Sequence, residues 1–167
     1  KKNSPFPKNH SSDLINLLSK CDGLGISGAN ENSNSVLNYY SKTQKIRAIH
    51  SSETKKSVQT SKNNTGKSEN IRALNLKPHF LVHMTYASKS DLYATAKRTR
   101  GIIICPRANA ALAEGIPDIQ LMQKTGNTIG LGTDNVMINS PDMFREMDYL
   151  WKVSMGISKT RVNPKDI

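Results

Sequence analysis

Three short apolar runs in this 167-residue chain end on residues that bind metals or move protons. Thr128-Ile129-Gly130-Leu131-Gly132 leads to Asp134. Lys45-Ile46-Arg47-Ala48-Ile49 leads to His50, with Glu53 three residues on. Pro78-His79-Phe80-Leu81-Val82 leads to His83. Neutral imidazole nitrogens and carboxylates are ligands for cations of the zinc class, and both also serve as general bases and acids. If the runs are parallel strands, their C-terminal ends share one face, which is where α/β enzymes place their chemistry. Each residue also has a plainer reading. His50 alone fits a hydrogen-bonded structural histidine, and Asp134 alone fits a turn cap. Glu146 reads as a helix-face residue making local pairs, Met137, Met143 and Met147 as core, and His10 and His79 as structural or exposed.

The elements that must position these residues alternate strand and helix signals. Ser11–Lys20 reads as a helix with Leu14, Leu17 and Leu18 on one face. Gly23–Gly28 reads as a strand running into a Gly-rich turn, and Ser33 or Ser35 as the cap of a helix through Tyr40. Ile46–His50 is the second strand. Residues 55–70 are rich in Ser, Lys and Asn, which leaves a ragged helix or a mobile loop. Phe80–Met84 is the third strand. Ser88 caps a helix to about Arg98, with Leu92, Ala96 and Tyr93 facing inward. Gly101–Cys105 is the most apolar strand, stopped by Pro106, and its continuous apolar run suits a parallel strand covered on both faces. Pro117 opens a helix through Lys124, and Thr128–Thr133 is the fifth strand. Ser140 caps a last helix with Pro141 at its first position and Met143, Met147, Leu150 and Trp151 buried. A polar tail follows Ser154. Five βα units predict a parallel sheet with right-handed crossovers. They fit a doubly wound sheet or part of a barrel equally well.

The bulk numbers narrow the function classes. One domain fits the length, whereas a complete eight-stranded α/β barrel takes about 250 residues. The net charge is +11, from 24 Lys and Arg against 13 Asp and Glu. The basic residues are scattered and aromatics are few, which argues for a solvated basic surface and against a nucleic-acid-binding domain. Cys21 and Cys105, the only cysteines, do not have metal-ligand spacing and read as buried thiols of a reducing cytoplasm. No apolar stretch approaches the ~20 residues of a membrane span, and Lys-Lys-Asn-Ser-Pro-Phe-Pro at the start lacks an apolar signal core. A cytoplasmic location is the expectation.

Taken together, the motifs carry a family resemblance. Ile46-Arg47-Ala48-Ile49-His50-Ser51-Ser52-Glu53-Thr54 resembles the His-x-x-Glu motif on the fifth strand of the amidohydrolase superfamily, and Leu81-Val82-His83 resembles its sixth-strand histidine. Ile104-Cys105-Pro106-Arg107-Ala108-Asn109 resembles the Cys-Pro-Arg-Ser-Asn segment after the seventh strand. Gly130-Leu131-Gly132-Thr133-Asp134-Asn135, with Pro141-Asp142-Met143-Phe144-Arg145-Glu146-Met147 behind it, resembles the eighth-strand aspartate and its helix. Order and spacing match over about residues 11–152. The nearest branch is the aminohydrolases, with cytosine, guanine and adenosylhomocysteine deaminases and the triazine chlorohydrolases.

The resemblance implies the C-terminal part of a (β/α)8 barrel, strands four to eight with their helices, with residues 1–167 one partial barrel domain. It implies hydrolytic deamination of a purine- or pyrimidine-like N-heterocycle by water activated on one divalent metal, zinc or iron. His50 and Asp134 would be metal ligands, with His83 a further ligand in some members. Glu53, His83 and Asp134 would be catalytic, with Glu53 carrying the proton to the ring nitrogen and the leaving ammonia. Arg107, Asn109 and Asn135 would border the substrate. Ile104 stands where related deaminases often carry a substrate-contacting histidine. The fourth strand ends Ser27-Gly28-Ala29-Asn30 without the lysine of two-metal members, which favours one metal. The family's first-strand His-x-His is absent. The expectation is therefore a piece of a longer barrel, inactive alone, that pairs with another copy or with a missing N-terminal segment; a non-catalytic interaction domain is the alternative.

Overall fold

A computed structural model describes residues 16–159, 161 and 163–166. His10 and the start of the expected first helix lie outside them; residues 16–19 are helical. Five strands follow: β1 (Gly23–Ile26), β2 (Ile46–Ser51), β3 (Phe80–His83), β4 (Gly101–Ile104) and β5 (Ile129–Leu131). They form one sheet in the order β1-β2-β3-β4-β5, every neighbouring pair parallel. This order decides between the two architectures the sequence left open. A doubly wound sheet reverses its strand order at a switch point. A barrel adds each strand beside the last, with right-handed crossovers placing every helix on the same face. The chain is thus five successive strands of a (β/α)8 barrel with their helices.

Register divides the sheet into two faces. Ile26, Ile49, Leu81 and Ile102 stand side by side and are buried together with Leu37, Leu74, Leu92, Met122 and Leu150; this is the core under the helices. On the other face His50, Val82, Ile103 and Gly130 line up, and all four are only half-buried. Gly101 is required where β4 meets β5, because a Cβ there would sit 2.7 Å from the Thr128 carbonyl oxygen.

The helices are α1 (Asn34–Tyr40), α2 (Lys55–Thr65), α3 (Glu69–Ala73), α4 (Lys89–Ala96), α5 (Pro106–Ala111), α6 (Ile119–Lys124) and α7 (Met143–Ser158), with a 3-10 turn at Leu74–Leu76. Ser33 caps α1, and Ser88 forms a reciprocal capping box with Asp91 on α4, as those side chains do wherever they meet orphan helix N–H groups.

Several expectations are corrected. The polar stretch 55–70 is neither loop nor ragged: Thr54 and Ser68 cap two helices there. Tyr93 faces solvent, 46% exposed, with the Lys89 ammonium over its ring. Pro117 precedes α6 and Asp118 caps it. Asp142, not Ser140, caps α7. Met137, Met143 and Met147 are exposed, and α7 runs past Ser154 to Ser158. A short α5 follows β4, where no helix was expected. Cys105 is buried and Cys21 half-buried, both free. Among the described residues no helix is long and apolar enough to cross a membrane.

Candidate metal centre

The C-terminal ends of β2, β3, β4 and β5 bring the expected residues together. The His50 and His83 rings meet edge-on, 4.8 Å between centroids. Glu53 lies between them, Oε2 3.8 Å from His50 Nδ1 and Oε1 3.5 Å from His83 Nε2. Among the described residues two groups could each hold a cation: His50, Glu53 and His83, and His83, Cys105 and Asp134. In each group one ligand atom per residue lies within 4.8 Å of the others. Both groups use His83. Neither contains His50 and Asp134 together.

The backbone is bent to achieve this. Register pairs His50 with Val82 and Ser51 with His83, so strict alternation would send the two imidazoles to opposite faces. His83 has φ 69° instead, and Met84 has φ 55°. Ser52 after β2 (φ 52°) and Asp134 after β5 (φ 59°) are also left-handed. Left-handed non-glycine residues cost about 1–3 kcal/mol each and collect at functional sites. All four here adjoin or belong to the candidate ligand set.

Hydrogen bonds hold the strained ends. Asn109 Oδ1 lies 2.9 Å from His83 Nδ1, while Asn109 Nδ2 donates to Thr85 Oγ1 at 2.7 Å. A carbonyl oxygen only accepts, so Nδ1 carries the ring proton and Nε2 keeps its lone pair. That Nε2 is buried and has no hydrogen-bond partner. Ser52 N–H donates to Glu69 Oε2 (2.8 Å), which also accepts from Ser57 Oγ (2.7 Å); Asn30 Nδ2 reaches Glu69 Oε1 (3.0 Å). Arg72 fixes Asn30 and the Ala29 and Asn32 carbonyls. Glu69 and Arg72 are 4% and 6% exposed. This buried network lies in and beside the stretch whose composition gave no order.

Titration follows the same geometry. The Glu53 carboxylate raises His50 above the usual histidine range, with burial opposing it, and His50 lowers Glu53 in return. Burial lowers His83, so its ring stays neutral. Burial likewise pushes the Cys105 thiol up to about 12.

The remaining expected residues are placed as follows. Arg107 lies beside the site at the start of α5: its N–H donates to Glu146 Oε2 (3.2 Å), and Nη1 to Glu146 Oε1 (3.4 Å) and the Ser140 carbonyl (3.3 Å). Glu146 is fully buried and its partner Arg107 is 39 positions away, so the expectation of a helix-face residue making local pairs is corrected. The signal was present: Glu146 stands one turn before Leu150 and two before Ser154, on the buried stripe of α7. Burial raises its carboxyl despite the Arg107 bonds. Asn109 has 0% exposure, both amide ends engaged inside the protein. Asn135 is exposed, its Oδ1 accepting from Met137 N–H. His79 is structural, its Nδ1 accepting from Arg47 N–H at 3.0 Å at the opposite end of the sheet. An open cleft of about 160 Å³ runs from His50 and Glu53 past Ser27, Glu31 and Asn30 to Glu69.

The orphaned Nε2, with carboxylate and imidazole ligand atoms converging on it, is the environment a divalent cation requires; the residues present fit such an ion. Similarities to known proteins give the family. The model of the amidohydrolase family matches residues 23–166. A putative aminohydrolase of Methanothermobacter thermautotrophicus is 37% identical over 155 residues, 90% of this chain and 40% of the relative. A 5-methylthioadenosine/S-adenosylhomocysteine deaminase of Halobacterium salinarum is 32% identical over 69 residues, 41% of this chain and 16% of the relative. The crystal structure of an adenosine deaminase from Xanthomonas campestris with bound zinc superposes with a TM-score of 0.75 at 19% identity, over 88% of this chain and 36% of that one. The chain thus spans about 40% of the length of the first of these relatives. Sheet order, strand-end residues and family match lead to one assignment: the chain belongs to the amidohydrolase family.

Proposed function

We propose that these residues form the C-terminal-strand part of a metal-dependent aminohydrolase site that deaminates a purine- or pyrimidine-like N-heterocycle. The observation that carries the reading is that two groups able to hold a cation, His50–Glu53–His83 and His83–Cys105–Asp134, share a neutral His83 whose Nε2 is buried and unpartnered. His50, His83 and Asp134 would hold one zinc or iron ion. Such an ion supplies, when bound, the acidity that makes hydroxide from water near neutral pH.

The chain's own groups do the rest. Asp134 accepts the water's proton. Glu53, held low by its histidine partners, is ionised at neutral pH, so it can take that proton and pass it to the substrate ring nitrogen, and then carry the water's second proton to the departing ammonia. His83, with its proton fixed on Nδ1 by Asn109, offers a lone pair to the site. Arg107, locked by Glu146, and Asn135 border the substrate.

The test is ammonia release from a panel of purine and pyrimidine amines. Measured on a complete eight-stranded barrel that contains this chain, with zinc supplied, Glu53→Gln is expected to lower the rate about 10²–10⁴-fold with zinc content unchanged. Full turnover by Glu53→Gln contradicts the proposed role.

A second reading concerns completeness. The cleft of about 160 Å³ is small beside the roughly 300–1,000 Å³ of ligand pockets, and this chain matches only 40% of its relative. The 167 residues would then need further barrel strands, or another copy, to close the pocket. Residues 1–167 alone should release no ammonia; robust release overturns this second reading.

A further inference from the structure

We propose that Cys105 is a sulfur ligand to the cation, binding together with His83 and Asp134, so that the site is a mixed nitrogen–oxygen–sulfur centre with a preference for thiophilic divalent ions. This rests on the metal-site reading above and adds to it a ligand which that reading does not use.

The geometry is direct. Cys105 Sγ, a His83 ring nitrogen and an Asp134 carboxylate oxygen lie within 4.8 Å of one another. His83 Nε2 is the independent observation: it is buried and without a hydrogen-bond partner, and because Nδ1 is held by Asn109 it is the ring nitrogen left to bind a cation. Cys105 is 3% exposed. It sits at the junction of β4 and α5, where Pro106 fixes the turn. Space beside the sulfur is kept by Gly132, whose absent Cβ would stand 3.2 Å from Sγ. An imidazole, a carboxylate and a thiolate together suit zinc, since thiolate ligands select softer ions over hard ones such as magnesium. On binding, the sulfur–metal bond forms and the thiol proton leaves to solvent.

Cobalt(II) is the probe, because sulfur ligation gives it a charge-transfer band in the near ultraviolet that nitrogen and oxygen ligands do not. The full chain, reduced and titrated with cobalt(II), should show that band together with the visible d–d absorption. Cys21→Ser should keep both. Cys105→Ser should lose the band, keep the d–d absorption, and bind cadmium at least ~10-fold more weakly. Visible absorption without the band in the unsubstituted chain overturns the sulfur ligand and leaves the metal reading standing. A band that survives in Cys105→Ser also overturns it. Absence of both absorptions overturns both readings. The spectrum of the unsubstituted chain decides the matter even if Cys105→Ser fails to fold.

Discussion

At the scale of single residues, His83 is the centre of the site. Both candidate ligand groups share this histidine, and Asn109 determines which of its nitrogens carries the proton. Asn109→Ala removes that control and leaves Nδ1 buried without a partner. Zinc affinity should fall about 10–100-fold, the usual cost of losing such an outer partner, while the circular dichroism spectrum stays unchanged. Unchanged zinc affinity by competition with a chelating dye would show that the tautomer is not set here. His50, Glu53, His83 and Asp134 were legible in the sequence because each follows an apolar run and their order is that of the family. Asn109's partner was not legible. The motif placed it near the substrate, while the fold buries it against an imidazole that is 26 positions away. Cys105 was equally opaque, since spacing between two cysteines says nothing about a cysteine beside a distant histidine and aspartate.

At the scale of elements, the strand ends carry strain and the helices beside them hold it. Ser52, His83, Met84 and Asp134 all have positive φ, and periodicity cannot reveal a left-handed residue that is not glycine. The stretch 55–70 shows a related limit. Its polar composition suggests disorder, but Glu69 is buried as the acceptor for Ser52, Ser57 and Asn30. Capping residues Thr54 and Ser68 were the available signals.

Two tests belong to this scale. Gly101→Ala puts a methyl group 2.7 Å from the Thr128 carbonyl, so it should destabilise the fold by about 1–3 kcal/mol in urea unfolding; an unchanged midpoint would contradict the close β4–β5 approach. Glu146 gives the pH test. Burial raises its carboxyl, so ionising it costs more in the folded than in the unfolded chain. Its contribution is therefore fully present below the unfolded carboxylate value of about 4.3 and is lost as pH rises through the higher folded value. The stability of the unsubstituted chain relative to Glu146→Gln should shrink as pH climbs through that window. A difference that grows with pH would mean that the Arg107 pair outweighs burial.

At the scale of the whole molecule, strand alternation gave the βα rhythm but not the strand order, and it is the sequential parallel order that distinguishes a barrel from a doubly wound sheet. β1 and β5 end the sheet, and Val136, Met137 and Phe144 beyond β5 are 69%, 88% and 83% exposed. Apolar surface next to an open strand edge favours association, in keeping with a pocket completed by further strands or another copy. The proposed ligands stand at the ends of β2, β3 and β5, so the central claim is measured by metal content. The chain, produced in zinc-replete medium and freed of loose ions by gel filtration, is assayed by elemental analysis beside its Asp134→Ala variant. The expected result is about one zinc per chain, lost in Asp134→Ala. No zinc in the unsubstituted chain, or equal zinc in both, would contradict it.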